Sequence, residues 1–256
     1  MKAIWPLRAL FTVATLAFWQ YASGRLISPL YVSSPVAVGA KIYAMLADGS
    51  LLRHMSITAF EAGAGFIVGS AAGILVGLAL GRARLLAEVL DPFLLGLYSL
   101  PKVALAPLFV MWFGIDVGMK IVFAAVVVFF LVFLSTYSGV RSVSRELITI
   151  YRLMGATELQ LMGKVILPAA MTWVFSGLRL SAPYALVGAI IAELIAANRG
   201  LGYLVENATT QFDTAAAFAA VAGILFLSAG LNLLIKLAER RLMPWRAAED
   251  QREVAV

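Results

Sequence analysis

Three ionisable side chains stand inside long apolar stretches: Lys102, Arg179 and Glu193. Tyr98 lies one helical turn before Lys102, and Tyr184 lies between Arg179 and Glu193. A basic residue at the centre of a bilayer costs ~2.5–3.5 kcal/mol on insertion scales, so such groups line water or find partners. The two cations could favour an anion along a wet path. They could also snorkel to headgroups or pair with helix ends. Nucleophilic and metal chemistry have no candidates. There is no cysteine and one histidine, His54, and neither His-Glu-x-x-His nor Gly-x-Ser-x-Gly occurs. Gly163-Lys164 is not a Walker A loop. Glu158 stands where its first glycine should be, and Val165 where Ser or Thr should bind Mg²⁺. No metal site, cofactor or enzymatic activity is expected, and the chain has no Walker A loop with which to hydrolyse ATP.

A second group of candidates lies between Arg141 and Lys164. Leu147, Ile150, Tyr151 and Met154 recur at i, i+3, i+4 and i+7, one face of a helix. Gly155 then sits where a glycine with positive φ ends a helix. Thr157 and Gln160 form a capping-box pair that opens a second helix. Pro168 is expected to break or kink that helix near the membrane. An amphipathic helix of this kind must bury its apolar face on headgroups, on the protein's own body or in a partner's groove.

The elements that position these groups are membrane spans. The 256 residues are 62% hydrophobic and only 13% charged, against ~25% charged in soluble domains. Charge-free runs of 20, 20 and 22 residues occupy 62–81, 121–140 and 214–235, each matching the ~20 residues that cross a bilayer as a helix. Six spans are expected, at about 8–24, 60–81, 94–114, 119–140, 172–197 and 214–236. The third is interrupted by Pro101, Lys102 and Pro107. The first 24 residues have signal-peptide features, but bulky Phe18, Trp19 and Tyr21 near the end of the run favour a retained span. The net charge of +6 lies beside the spans, which indicates orientation and anchoring rather than nucleic-acid binding.

With the N-terminus inside, 13 of the 20 basic residues fall in inner segments and 5 in outer ones. The inner set includes Lys2, Arg8, Arg82, Arg84, Arg246 and Arg252. The outer set is Arg25, Lys41, Arg53, Lys120 and Arg199. Both termini are therefore expected in the cytoplasm. The longest outer connection, 25–57, should carry short surface helices, with Ser34-Pro35 as a start and Asp48-Gly49 as a stop. Gly65, Gly69, Gly73 and Gly77, continued by Gly81, make a smooth groove along the second span. It allows close helix packing, either inside the bundle or as a sliding contact.

Gly155, nine residues, and then Val165-Ile166-Leu167-Pro168 resemble the second half of the EAA signature, Gly-x9-Ile-x-Leu-Pro. That signature marks inner-membrane permease subunits of binding-protein-dependent ABC importers. "SLPKVALAPLFVMWFGI" (99–115) and "AELIAANRGLGYLVENA" (192–208) are similar to segments of the nitrate/sulfonate/taurine branch. The resemblance implies an all-α polytopic membrane protein with the type I ABC importer permease fold. It implies one permease domain over 1–256, with a core at 58–240 and an EAA-like loop at 145–168. In the family the glycine-split insert is a coupling helix that docks on the ATPase, which assigns that role to Glu146, Tyr151, Met154, Gly155, Ala156, Leu167 and Pro168. Thr149, Ile150 and Tyr151 replace Glu-Ala-Ala, so the signature glutamate is not carried over, and Glu146, one turn upstream, is a candidate substitute. The implied partners are two cytoplasmic ATPases, a periplasmic binding protein, a second permease copy and the lipid bilayer of a bacterial inner membrane. The implied substrate is a small anion or zwitterion such as nitrate, a sulfonate or taurine, or alternatively a vitamin or pyrimidine precursor. A proton-coupled secondary transporter using Glu193 and Lys102 is the rival reading, and a purely structural membrane subunit is another.

Overall fold

The computed structural model describes residues 4–242; Lys2, Arg246 and Arg252 of the charge count lie outside the described residues. The chain forms helices α1 (Ile4–Ala22), α2 (Pro35–Ala47), α3 (Ser50–Arg82), α4 (Arg84–Ser99), α5 (Lys102–Phe113) and α6 (Val117–Arg141). These are followed by α7 (Arg145–Leu153), α8 (Glu158–Leu161), a π-helical turn (Met162–Ile166), α9 (Leu167–Ala196), α10 (Leu201–Thr210) and α11 (Thr214–Leu242).

Among the described residues, four helical stretches are long and apolar enough to cross a membrane: Ser50–Arg82, Val117–Arg141, Glu158–Ala196 and Thr214–Arg241. The expected third span is a pair, α4 and α5, bent by 90° at Leu100–Pro101. Proline has no N–H to continue the helix and pushes the residue before it into extended backbone. Leu100 accordingly has φ −63° and ψ 134°. The expected first span is the 19-residue helix α1, which contains Arg8 and Gln20 and is not among those four. It rests on its neighbours through Trp19 against Phe218 and the Val36 N–H donated to Gln20 Oε1.

Ser34 caps α2 as its sequence suggests, its Oγ accepting from the Ala37 N–H at 3.2 Å, with Pro35 in the first turn. Asp48-Gly49 stops α2, Gly49 having φ +74°. The helix that follows is not a short surface piece. It runs 33 residues without a break into the span, because no proline or glycine pair interrupts it, and at about 50 Å it outreaches a ~30 Å hydrocarbon core.

α6 is the axis of the bundle. The glycine stripe of α3 presses on it: an added Cβ would stand 2.6 Å from Ala124 Cβ at Gly65, 2.3 Å from Ala125 O at Gly69 and 2.7 Å from Thr136 Cβ at Gly77. From the other side, α9 approaches at Gly177 against Ser135 and Gly188 against Ala124, and Gly139 of α6 takes Trp173. The groove is therefore filled inside the chain, and Ala62, Ala124, Val128, Val132, Ala185 and Ala189 form the central core there.

Candidate functional site

The insert builds itself from local signals. Ser144 Oγ accepts the Leu147 N–H and donates to Glu146 Oε2 at 2.6 Å, fixing the first turn of α7. Gly155 ends the helix at φ +80°. There its N–H donates to Arg152 O and the Ala156 N–H to Tyr151 O, each at 3.0 Å, which is the paired bonding of a Schellman turn. Thr157 and Gln160 then exchange bonds as a capping box. Pro168 does not break the helix. The π-turn ahead of it shifts the ladder, so the Leu167 N–H donates to Met162 O. The result is one helical rod of 39 residues, Glu158–Ala196.

The apolar residues of α7 divide between two directions. Tyr151 and Ile148 pack on the body, against Val140, Leu161, Ile166 and Ala170. Leu147, Ile150, Leu153 and Met154 stay exposed, joined by Leu159 on the far side of the turn, with Leu153 and Leu159 at 84% and Met154 at 78%. Leu167 and Pro168 are also exposed, beyond the buried Val165 and Ile166. Glu158 ties the insert to the bundle by accepting from both Arg82 at the end of α3 and Arg152 of α7.

The membrane-embedded polar groups fall into separate places. Lys102 stands at the α4–α5 bend. Its ammonium lies 4.6 Å from the Tyr98 ring centroid and 5.1 Å from that of Phe130, and it donates to Tyr98 O. Among the described residues it has no carboxylate partner. Arg179 pairs with Glu239 near the end of α11. Tyr184 is exposed on α9.

Glu193 belongs to a buried node at the end of the bundle away from the insert. Its Oε1 accepts from the Thr58 hydroxyl and its Oε2 from the Gly202 N–H, both at 2.6 Å. The Leu201 N–H donates to Thr58 Oγ1 at 2.8 Å, and the Gly200 N–H to His54 Nδ1 at 2.9 Å. Side chains of α3 and α9 thus take the free donors at the start of α10. His54, accepting at Nδ1, is the neutral tautomer with its proton on Nε2. Gly200 has φ +108°, and a Cβ there would fall 2.1 Å from Glu193 Oε1. Glu61 and Lys120, each at the edge of a charge-free run, form a buried ion pair at 3.4 Å. The signal for Glu61 was present: His54, Thr58, Glu61 and Gly65 lie at i, i+4, i+7 and i+11, on the face that the glycine stripe continues.

A family described as binding-protein-dependent transport system inner membrane component matches residues 69–246. The putative aliphatic sulfonates transport permease protein SsuC of Bacillus subtilis (strain 168) is 32% identical over 245 residues, covering 94% of this chain and 88% of that protein. The taurine transport system permease protein TauC of Escherichia coli (strain K12) is 32% identical over 257 residues, covering 96% and 94%. A chain from an inward-facing structure of the MetNI methionine ABC transporter superposes with a TM-score of 0.64 at 19% identity, covering 77% of this chain and 95% of that one. That last likeness is one of fold. Sequence and fold converge: the chain belongs to the inner membrane components of binding-protein-dependent transport systems, the multi-pass permease subunits of ABC importers, whose ATPase is a separate subunit.

Proposed function

We propose that the 145–165 insert is where this permease engages its ATPase, and that the imported substrate is a small anion or zwitterion of the sulfonate or taurine kind. The observation that carries the first part is the exposed apolar surface around a left-handed glycine: Leu153, Met154 and Leu159 flank Gly155, and none of the described residues covers them. A surface of this kind on a helix otherwise tied down by Glu158 is presented to a groove rather than left to collapse. Glu146, held at the start of α7, supplies a carboxylate in the place of the signature glutamate. Tyr151 packs on the body behind α7, and Ala156 with the exposed Leu167 and Pro168 completes the coupling surface. Two copies form the pathway above two ATPases, with a binding protein on the opposite face and both termini in the cytoplasm.

Gly155→Val tests the coupling role. A β-branched residue at positive φ costs of order 1–2 kcal/mol or re-aims the turn, while the spans are untouched. Normal membrane insertion with loss of uptake and of ATPase co-purification is expected. Wild-type uptake with normal ATPase association would reject the assignment.

For the substrate, Lys102 is the cation that faces the pathway, with Tyr98 beside it. Arg179 is held by Glu239, and Glu193 by its buried node. The relatives named for sulfonates and taurine support an anionic group on the cargo. In Lys102→Gln, uptake of a short alkanesulfonate by the assembled transporter should fall while basal ATP hydrolysis persists. Unchanged uptake would remove Lys102 from the pathway.

A further inference from the structure

At the insert end of the bundle, a cavity of about 350 Å³ opens between α3, α6 and α7. Its apolar lining comes from Gly81 and Val140 in the last turns of two spans and from Ile148 of α7. Its rim carries four guanidinium groups: Arg82, Arg141, Arg145 and Arg152. They come from three helices and converge only through the fold.

The carboxylates nearby do not saturate them. Glu158 accepts from Arg82 and Arg152. Arg141 donates to the Tyr137 hydroxyl at 2.6 Å and lies 4.0 Å from Asp91, with Glu88 of the same helix also in its field. Glu146 is engaged by Ser144. Each guanidinium carries five N–H donors in a planar fork, so most of the donors on the rim remain for a ligand. An arginine fork matches phosphate oxygens in a bidentate fashion.

The cavity's place selects the ligand. It sits where the charge-free runs of α3 and α6 end, at Gly81 and Val140, which is the place of the headgroup layer for spans of this length. Basic pockets between spans on the cytoplasmic side are suited to anionic lipid headgroups. The arginine face of α7 is also distinct from the exposed apolar face assigned to the ATPase. We propose that this arginine-rimmed cavity binds the phosphate headgroup of an anionic phospholipid and so fastens the insert to the inner leaflet. The proposal rests on the reading that the insert faces the cytoplasm.

The test uses the full chain with its ATPase, purified in a zwitterionic detergent. Phosphatidylglycerol and phosphatidylcholine are titrated in and bound lipid is counted by native mass spectrometry, with inorganic phosphate as competitor. Phosphatidylglycerol should bind in preference, millimolar inorganic phosphate should fail to displace it, and Arg145→Gln/Arg152→Gln should weaken it about 30-fold, at roughly a decade or less per lost charge. Arg145→Lys/Arg152→Lys should recover part of the loss, which separates charge from misfolding. Equal binding of the two lipids, undiminished binding in the Gln variant, or full displacement by inorganic phosphate would each overturn the proposal. Loss of ATPase association in the Gln variant with lipid binding intact would assign the arginines to the protein partner instead. ATPase association lost in Gly155→Val has no bearing on lipid binding, so the two readings fail separately.

Discussion

Lys120 and Glu61 are the residues whose environment departs furthest from what their types prefer. Their side chains are 5% and 0% exposed, and neither Glu61 oxygen has a hydrogen-bond partner among the described residues. A buried pair of this kind is weak evidence of stability in itself, but removing one member strands the other, at about 3–5 kcal/mol. Lys120→Met should therefore lower the thermal midpoint of the purified permease sharply, and Lys120→Met/Glu61→Leu should restore most of the loss. Additive damage in the double variant would show that the two charges do not depend on each other. Glu193 stands in contrast, since its bonds from Thr58 and Gly202 satisfy it without a cation. These roles were not legible from sequence. Glu61 and Lys120 are 59 positions apart, each at the edge of a charge-free run where an interfacial charge is the ordinary expectation, and only the packing of α3 on α6 brings them together. Gly155, Thr157 and Ser34 were legible because capping chemistry is settled within about five residues of chain.

Among the elements, α2 and α11 are joined by a staple that spans the sequence. Lys41 Nζ lies 2.7 Å from Asp213 Oδ2, while Asp213 Oδ1 accepts the Ala216 N–H at the start of α11. The Lys41 bond, followed by the Ala216 bond, holds the Asp213 carboxyl below its ordinary value. A depressed folded pKa contributes stability above the unfolded value of about 3.9, and that contribution is lost as pH falls through the folded one. Both side chains are more than a third exposed, so screening limits the pair to below about 1 kcal/mol. Asp213→Asn keeps the cap and removes the ion pair. Its midpoint should lie slightly below wild type at pH 7 and converge with it below about pH 4, as read by thermal unfolding in detergent. A gap that widened on acidification would contradict the sign. At this scale the sequence announced α2 and the insert but not the bend at Leu100–Pro101. Pro101 marks a place where a helix can fail, while the 90° angle is set by what α4 and α5 pack against.

For the whole molecule, the glycine contacts on both sides of α6 make α3, α6 and α9 one tightly packed body, with α5 packed on it through Ala106 and Phe109. Orientation is the remaining global property, and the bias of basic residues argues for it at the level of the complete chain. With no native cysteine, a single cysteine at Ala40 on α2 should react with an impermeant maleimide in intact cells, and one at Thr149 on α7 should not. Labelling at position 149 alone would invert the topology. One further consequence lies in the 39-residue rod from Glu158 to Ala196. Its midpoint is Gly177, the residue seated on Ser135 of α6. Trp173 against Gly139 and Gly188 against Ala124 seat it on either side of that point as well, so the rod is clamped to α6 along its length. A push delivered at α7 and α8 would thus move the Glu193 end, about 57 Å away, together with α6 as one block.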